Sequence, residues 1–393
     1  MNVIQYPKVS ILTAGKDPHY ALGLLDGLVS KPLQIDFIAN NDMQSSPLIE
    51  AQNVRYFNLR GDQTASSSIW EKATRLVRYY FALMKYSVAT DSQLFHILWF
   101  NKFEWFDNTF LIFFYKIFKK KIIYTAHNVN TKERDGKYDI ISNISLKFLY
   151  KHVDHIIVHT ETMKKRMIDY FYINSNKISV FPFGINNVVP RSRMTNLEAR
   201  SKVSINSRKK LLLFFGNIAP YKGLDILIDA MTSIDDCELV IAGRINNCHS
   251  YWENIEKTIE NRNLKDRVIQ DIEFIPDERI EIYFKAADLL ILPYRRIDQS
   301  GVLFLSYSFG LPVIAADVGD LSKNIIEGIT GYVFEAGSSN DLSNKINMYF
   351  ESELFKNIEK NRELIIQYVV ENNSWGNITK EVNLLYRRIL EPS

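Results

Sequence analysis

Short, largely β-branched apolar runs alternate with longer amphipathic ones from one end of the chain to the other. Compact apolar runs bounded by turn residues predict buried strands, whereas apolar positions three and four apart predict helices. In the first half, strands are expected at Val9–Thr13, Gln34–Ala39, His96–Trp99, Ile122–Thr125, His155–His159 and Ile178–Phe181, with helices notably at Ile69–Tyr86 and Ile144–His152. The second half repeats the scheme, with strands at Leu211–Phe215, Leu239–Ala242, Val268–Phe274, Leu289–Leu292, Val313–Ala316 and Gly331–Phe334. Strands that are apolar on both faces and separated by helices pair in parallel under helical cover. The expected fold class is α/β, with two Rossmann-like sheets. The stretch from Pro182 to Lys210, with Gly184, Pro190 and a polar run, reads as a linker. It separates an N-terminal domain (1–187) from a C-terminal domain (188–374). The amphipathic segment Ser374–Leu390 is expected to pack back on the first domain, so that 375–393 belongs with it.

The most informative stretch runs from Leu289 to Val318. An apolar strand stops at Pro293, a polar loop follows, and a helix is expected from about Ser300 to Phe309. Ser300 is placed as N-cap and Gly310 as the residue that ends the helix. Gln299, Ser300 and Gly301 then stand where a helix N-terminus meets the carboxyl end of a strand, and free N–H groups there favour phosphate. A second such place follows the strand Leu211–Phe215, in Gly216-Asn217-Ile218-Ala219-Pro220-Tyr221-Lys222-Gly223. Gly216 allows close approach of a ligand, and Lys222 puts a compact positive charge beside a helix start. Neither G-x-x-x-x-G-K-[ST] nor G-x-G-x-x-G occurs. A strand–Gly–Lys–Gly–helix element alone is more often a structural turn than a site. Two phosphate-favouring strand ends in one half point to a phosphorylated ligand, because such ends converge on one sheet edge.

Composition narrows the picture. A chain of 393 residues with 46% hydrophobic and 24% charged residues is globular and long enough for two cores. Two cysteines, Cys237 and Cys248, in no C-x-x-C pair suit a reducing cytoplasm. No signal peptide and no spanning helix are expected. Residues 1–187 hold 23 Lys and Arg against 16 Asp and Glu, while the remainder holds 25 against 29. A basic first half facing an anionic surface, with membrane phospholipid foremost, stands at even weight with ordinary solvated surface.

Taken in order, the motifs Phe215-Gly216…Tyr221-Lys222-Gly223, Ala242-Gly243-Arg244, Phe274-Ile275-Pro276-Asp277-Glu278, Ala287-Asp288…Pro293-Tyr294, Gly310-Leu311-Pro312-Val313-Ile314-Ala315 and Gly328-Ile329-Thr330-Gly331-Tyr332-Val333 resemble the group 1 (family 4) glycosyltransferases of the GT-B fold. The resemblance covers most of residues 120–390. It implies two Rossmann-like domains facing a central cleft, with the helix near Trp375 crossing back to the first. It further implies that Lys222 binds the diphosphate of a nucleotide-sugar donor and that Gln299, Ser300, Gly301 and Val302 offer backbone N–H groups. Gly216, Asn217, Gly243, Arg244 and Ile275 would then surround the donor. Two departures stand out. Asn217 replaces the arginine usual after the first glycine, and Ile297 and Leu305 occupy the positions of two usual glutamates, as if in a branch with a Gln-Ser-Gly loop.

In the first half, His127 follows the strand Ile122–Thr125, where an imidazole can meet a sugar hydroxyl or phosphate, or can equally be a loop-capping histidine. The resemblance favours a catalytic place for it beside Lys222. Asp17 and Pro18 fit N-cap and N1 of a helix, Gly15 is placed near the donor, and His19 and Tyr20 near the acceptor. Trp105 to Phe118 is strongly aromatic and precedes Lys119-Lys120-Lys121, and the helix Ile69–Tyr86 carries Lys72, Arg75, Arg78 and Lys85. Both suit a membrane interface, although burial of the aromatic helix explains it slightly better. No residues have metal-ligand spacing, so neither metal nor other cofactor is expected. The resulting expectation is a cytoplasmic, retaining glycosyltransferase acting on a glycan or lipid-linked saccharide in bacterial surface or exopolysaccharide synthesis. Contact with the inner membrane face is expected, and nucleic acid is not. Its rivals are an epimerase or phosphorylase of the same fold and a non-catalytic partner of a polysaccharide synthase.

Overall fold

The computed structural model describes residues 6–63, 68–101, 103–130, 140–203, 209–245 and 248–391. The chain divides into two compact units, one reaching to Gly184 and resuming at Asn373, the other running from Ile185 to Asn372.

The first unit is built on a seven-stranded parallel sheet: β1 (Lys8–Leu12), β2 (Gln34–Ala39), β3 (Val54–Asn58), β4 (Leu94–Ile97), β5 (Lys121–Thr125), β6 (His155–Val158) and β7 (Ile178–Val180). Their order is β3-β2-β1-β4-β5-β6-β7, so the direction of winding reverses between β1 and β4. The apolar runs lie within the sheet because helices cover both faces. On one face Tyr79, Leu83, Leu111, Ile112, Leu149 and Met163 pack on Phe95, Ile97, Ile122 and Ile156. The segment Val54–Asn58 was not expected as a strand, since it alternates polar and apolar residues at the sheet edge. It is fixed by Asp36 of β2, fully buried, whose carboxylate accepts two bonds from Arg55 (2.8 and 2.9 Å) and one from the Tyr86 hydroxyl (2.6 Å). The strand expected at His96–Trp99 begins two residues earlier and ends at Ile97.

The opposite face carries the helix Pro18–Val29 and the C-terminal helix Trp375–Leu390. The two lie unusually close. A Cβ on Gly23 would stand 2.1 Å from the Trp375 indole nitrogen, and one on Gly184 would stand 2.3 Å from the same ring. One turn on, the Thr379 hydroxyl donates to the Gly27 carbonyl at 2.9 Å. Further along, Tyr386 meets His96 of β4 at 2.6 Å, and the other nitrogen of that ring lies 2.7 Å from Thr125 of β5. The C-terminal helix is therefore bonded to the sheet as well as packed on a helix.

The second unit holds six parallel strands: β8 (Lys210–Phe215), β9 (Cys237–Ala242), β10 (Val268–Asp271), β11 (Leu289–Leu292), β12 (Val313–Ala316) and β13 (Gly331–Phe334). They run in the order β10-β9-β8-β11-β12-β13, with the reversal between β8 and β11. The strand β10 stops three residues short of the expected Phe274. Asp271 is taken at that point by Arg279 and Tyr283 of the next helix, and Phe274 is exposed.

The glycine slot under Trp375 gives a direct test. Gly23→Ala should destabilise the protein by about 1–3 kcal/mol through overpacking. Gly376→Ala, on an open part of the same helix, should be neutral or slightly stabilising. Thermal unfolding of both variants checks this; equal melting temperatures would contradict the close approach.

Candidate active site

In the second unit the loops after β8 and β11 emerge on either side of the reversal in strand order, where an open parallel sheet leaves a crevice. The Arg295 N–H donates to the Tyr221 carbonyl at 2.7 Å, which ties the two loops together. Lys222 is buried, and its ammonium lies 5.3 Å from the centroid of the Tyr294 ring. The same ammonium is 3.0 Å from where a Cβ would stand on Gly216, with the Val302 methyl 3.8 Å from that point. Gly216 (φ +99°) and Gly243 (φ +152°) are back to back: a Cβ on Gly243 would meet the Gly216 carbonyl at 2.0 Å. The strand ends can lie so close because Gly243 has no side chain, while the missing Cβ of Gly216 leaves room for the Lys222 ammonium.

The helix after β11 spans Gly301–Ser308, one residue inside the expected bounds, and Gly310 (φ +67°) follows its end as expected. Ser300 is its N-cap by position, but its side chain closes no cap bond. The first N–H groups of a helix have no partner within it. Beside them the Gln299 side-chain oxygen is buried without a hydrogen-bond partner among the described residues. Asn217 accepts a bond from Arg244 Nε at 3.1 Å, and the Arg244 guanidinium lies over Phe274 at 5.5 Å. Ile275 is buried in the loop after β10. Gly216, Asn217, Lys222, Gly243, Arg244 and Val302 are thus brought together on one edge, with Ile275 in the neighbouring loop after β10. Leu305, at the position of a usual glutamate, is buried among apolar neighbours on its helix.

In the first unit the loop after β1 is tightly wound, with Ala14 (φ +51°), Gly15 (φ +69°) and Asp17 (φ +39°) all left-handed. Such backbone costs about 1–3 kcal/mol per non-glycine residue and collects at functional sites. Asp17 caps the helix as expected, accepting from Tyr20 N at 3.1 Å, and Pro18 is its first residue. His19 is half-buried. Tyr20, expected near the acceptor, is instead a buried wall: its ring packs edge-on against Trp99, His127 and Trp375. The reason is its place on the helix face turned to the sheet.

His127 stacks on Trp99 with centroids 4.2 Å apart and planes 3° from parallel. Its protonation follows from its neighbours. His159 Nδ1 lies 3.1 Å from the Phe181 carbonyl and must donate to it, so His159 Nε2 accepts. His127 Nδ1, 3.2 Å away, then carries the proton that it accepts. His127 Nε2 is left with a bare lone pair, buried and without a partner among the described residues. Burial holds this imidazole neutral by pushing its pKa well below the usual value. A neutral ring with an open acceptor nitrogen suits a hydroxyl group of a ligand. Close by, Lys16, Trp99, Asn101, Asn108, Asn128 and Asn130 line a cavity of about 120 Å³. These amides, and the His96–Tyr386 link, were not anticipated; no spacing in the sequence marks them.

Two family descriptions match the chain: Glycosyl transferases group 1 over residues 196–385 and Glycosyltransferase Family 4 over residues 20–187. The chain belongs to these glycosyltransferases. D-inositol 3-phosphate glycosyltransferase of Segniliparus rotundus is 24% identical over 225 residues, covering 55% of this chain and 50% of that protein. Glycogen synthase of Thermodesulfovibrio yellowstonii is 25% identical over 211 residues, covering 53% and 41%. The chain spans about half the length of the curated relatives it matches. Among solved structures, sucrose-phosphate synthase from Thermosynechococcus elongatus superposes with a TM-score of 0.76 at 18% identity, covering 98% of this chain and 99% of that one. Anabaena Alr3699/HepE in complex with UDP-glucose gives 0.74 at 15% identity, covering 98% and 100%. These likenesses establish the GT-B fold class, with its two Rossmann-like sheets.

The histidines predict an acid-sensitive first unit. Burial lowers the pKa of His96 to about 3 and those of His155 and His159 to about 4, with His127 also lowered. In the unfolded chain each titrates near 6.5. Between these limits the unfolded state binds more protons, so stability rises with pH and is lost as pH falls below about 6.5. Each imidazole contributes a slope of up to about 1.4 kcal/mol per pH unit. Denaturant unfolding at pH 7.5, 6 and 5 should show the decline, and the His127 ring resonances should not titrate between pH 6 and 8.

Proposed function

We propose that the protein transfers a sugar from a nucleotide-sugar donor to a hydroxyl group of a glycan acceptor. The observation that carries this reading is the edge of the second sheet, where Lys222, the paired glycines Gly216 and Gly243 and the open helix start at Gln299–Val302 gather at the reversal of strand order. A buried ammonium and a helix N-terminus stabilise the charge that builds on a departing diphosphate. They supply the positive charge locally, and the reading assigns no metal or other cofactor. A related fold in complex with UDP-glucose supports a nucleotide-sugar donor.

On the acceptor side, His127 Nε2 accepts a hydrogen bond from a sugar hydroxyl, while Gly15, His19 and the amide-lined cavity flank the substrates and Tyr20 holds the His127 ring in place. The transfer is read as retaining, with a donor phosphate oxygen taking the acceptor proton, since Ile297 and Leu305 offer no carboxylate. The acceptor is read as lipid-linked and the setting as cell-surface or exopolysaccharide synthesis at a membrane face. Lipopolysaccharide enzymes among the similar folds support that setting. The loss of both acidic positions favours one second reading, a non-catalytic partner of a synthase.

A hydrolysis screen across UDP-, GDP- and ADP-sugars, with released nucleotide as readout, tests the proposal. Lys222→Ala should lower turnover on the accepted donor by about 10²–10³-fold. His127→Ala should spare nucleotide binding and lower transfer to acceptor. Unchanged turnover in Lys222→Ala would overturn the phosphate site. Absence of thermal stabilisation by every nucleotide would favour the non-catalytic partner.

A further inference from the structure

The aromatic helices of the first unit are not buried in the way the sequence suggested. In the helix Ile69–Ala89 the inward face carries Tyr79, Leu83 and Tyr86, whereas Trp70, Val77, Phe81 and Val88 are exposed. At about 100° per residue these four fall within roughly 40° of one another. They form a second apolar stripe, nearly opposite the first, with Trp70 82% and Phe81 67% exposed. A helix that only covers a sheet needs one stripe.

The neighbouring segment repeats the arrangement. Leu111, Ile112 and Tyr115 face the core, while Trp105, Phe110, Phe113 and Ile117 are exposed, Trp105 by 60% and Phe113 by 59%. The two segments are adjacent, since the Tyr80 and Phe106 rings lie 4.9 Å apart and the Tyr80 hydroxyl donates to Asp107 at 2.7 Å. The next helix, Ile140–His152, packs on the second and exposes Ile144. Exposed apolar side chains thus recur on three neighbouring helical segments, and contiguous apolar surface marks an interaction site.

Charge decides what covers this face. Arg78, Lys85, Lys119, Lys121, Lys147 and Lys151 are exposed on or beside these segments, Lys121 within 3.9 Å of Asp154. Among the described residues, the exposed acids on or beside the same segments are Asp62, Glu71, Asp91 and Glu104, and Asp91 is paired with Lys8. Glu71 is engaged in a capping box with Ser68, and Glu104 accepts from Ser142 at 3.2 Å. Lys120, by contrast, turns inward to the carbonyls of Thr90 and Ser92. Tryptophan and phenylalanine among lysines and arginines match the boundary of an anionic bilayer, where rings enter the acyl edge and cations meet headgroup phosphates.

We infer that this helical face of the first unit, centred on Phe81 and Phe113, docks on the surface of an anionic phospholipid bilayer. The inference names the partner for the membrane setting proposed above, yet it stands on exposure and charge and needs no donor chemistry. No helix among the described residues is long and apolar enough to cross a membrane, so the contact is interfacial.

Flotation of the full chain with vesicles of phosphatidylcholine, alone or mixed with phosphatidylglycerol, tests it. Binding is expected to the mixed vesicles, weakening as salt rises. Arg78→Ala and Lys85→Ala should each weaken it about fivefold. The combined variant Phe81→Ser/Phe113→Ser should lose it by at least about tenfold, with melting temperature and donor hydrolysis unchanged. In the unaltered chain, brominated lipids should quench emission that Trp70→Phe/Trp105→Phe removes. Failure to float with either vesicle, or binding indifferent to these substitutions, overturns the inference. So does a solution dimer that Phe81→Ser/Phe113→Ser converts to monomer, since a second copy would then cover the face. Vesicle binding without any donor turnover would sink the proposed function alone; turnover without vesicle binding would sink this inference alone.

Discussion

Parallel pairing is the constraint from which the rest of the structure follows. Strands that run the same way cannot be joined by tight turns, so each connection must leave the sheet, cross it as a helix and return. Every carboxyl end in a unit then faces one edge, and the loops there are free of the work of joining neighbours. Where the order of strands reverses, two loops diverge and leave room between them. In the second unit these are the loops after β8 and β11, which carry Lys222 and Gln299. In the first unit they are those after β1 and β4, and they carry the wound turn at Gly15 and the Trp99 ring. Chemistry that looks scattered along the sequence is gathered by topology.

What the first unit adds is rigidity at its site. Trp375 enters a slot that exists only because Gly23 and Gly184 lack side chains, and its ring then supports Tyr20. Tyr20 meets His127 edge-on, and Trp99 meets it face-on. The imidazole is held on its flat face and its edge, while the Phe181 carbonyl sets its tautomer through His159. A side chain so confined does not need to be ordered when a ligand arrives, which is how preorganised polar groups contribute to catalysis.

The fold was largely legible because buried parallel strands are written as apolar runs: Gln34–Ala39, Leu289–Leu292, Val313–Ala316 and Gly331–Phe334 lie where the pattern placed them. The pattern failed where another force set the boundary. Val54–Asn58 pairs at an edge through Arg55 and the buried Asp36, which no hydrophobic count detects. Phe274 lies outside β10 because Arg279 and Tyr283 take Asp271. The place of the glycines and of Lys222 at the sheet edge could be read from local sequence, since it depends on backbone shape close by. The open nitrogen of His127 could not, because it depends on His159 and Phe181, far along the chain. The exposed ring of Phe113 departs from the burial expected of its helix for a related reason: composition shows that a helix is aromatic and basic, but only the neighbouring helices show which side is already filled.

The return of the chain to the first unit bears on how the protein is made. The second unit is one continuous stretch, from Ile185 to Asn372, whereas the first is interrupted by it and closed only by the helix Trp375–Leu390. During synthesis the core of the second unit can form as soon as it emerges, because its buried residues all come from that one stretch. The earlier half must wait, with the faces of Gly23 and His96 uncovered, until nearly two hundred later residues have been added. The part synthesised first is thus completed last, and in that interval its apolar face depends on the surrounding cell for shelter.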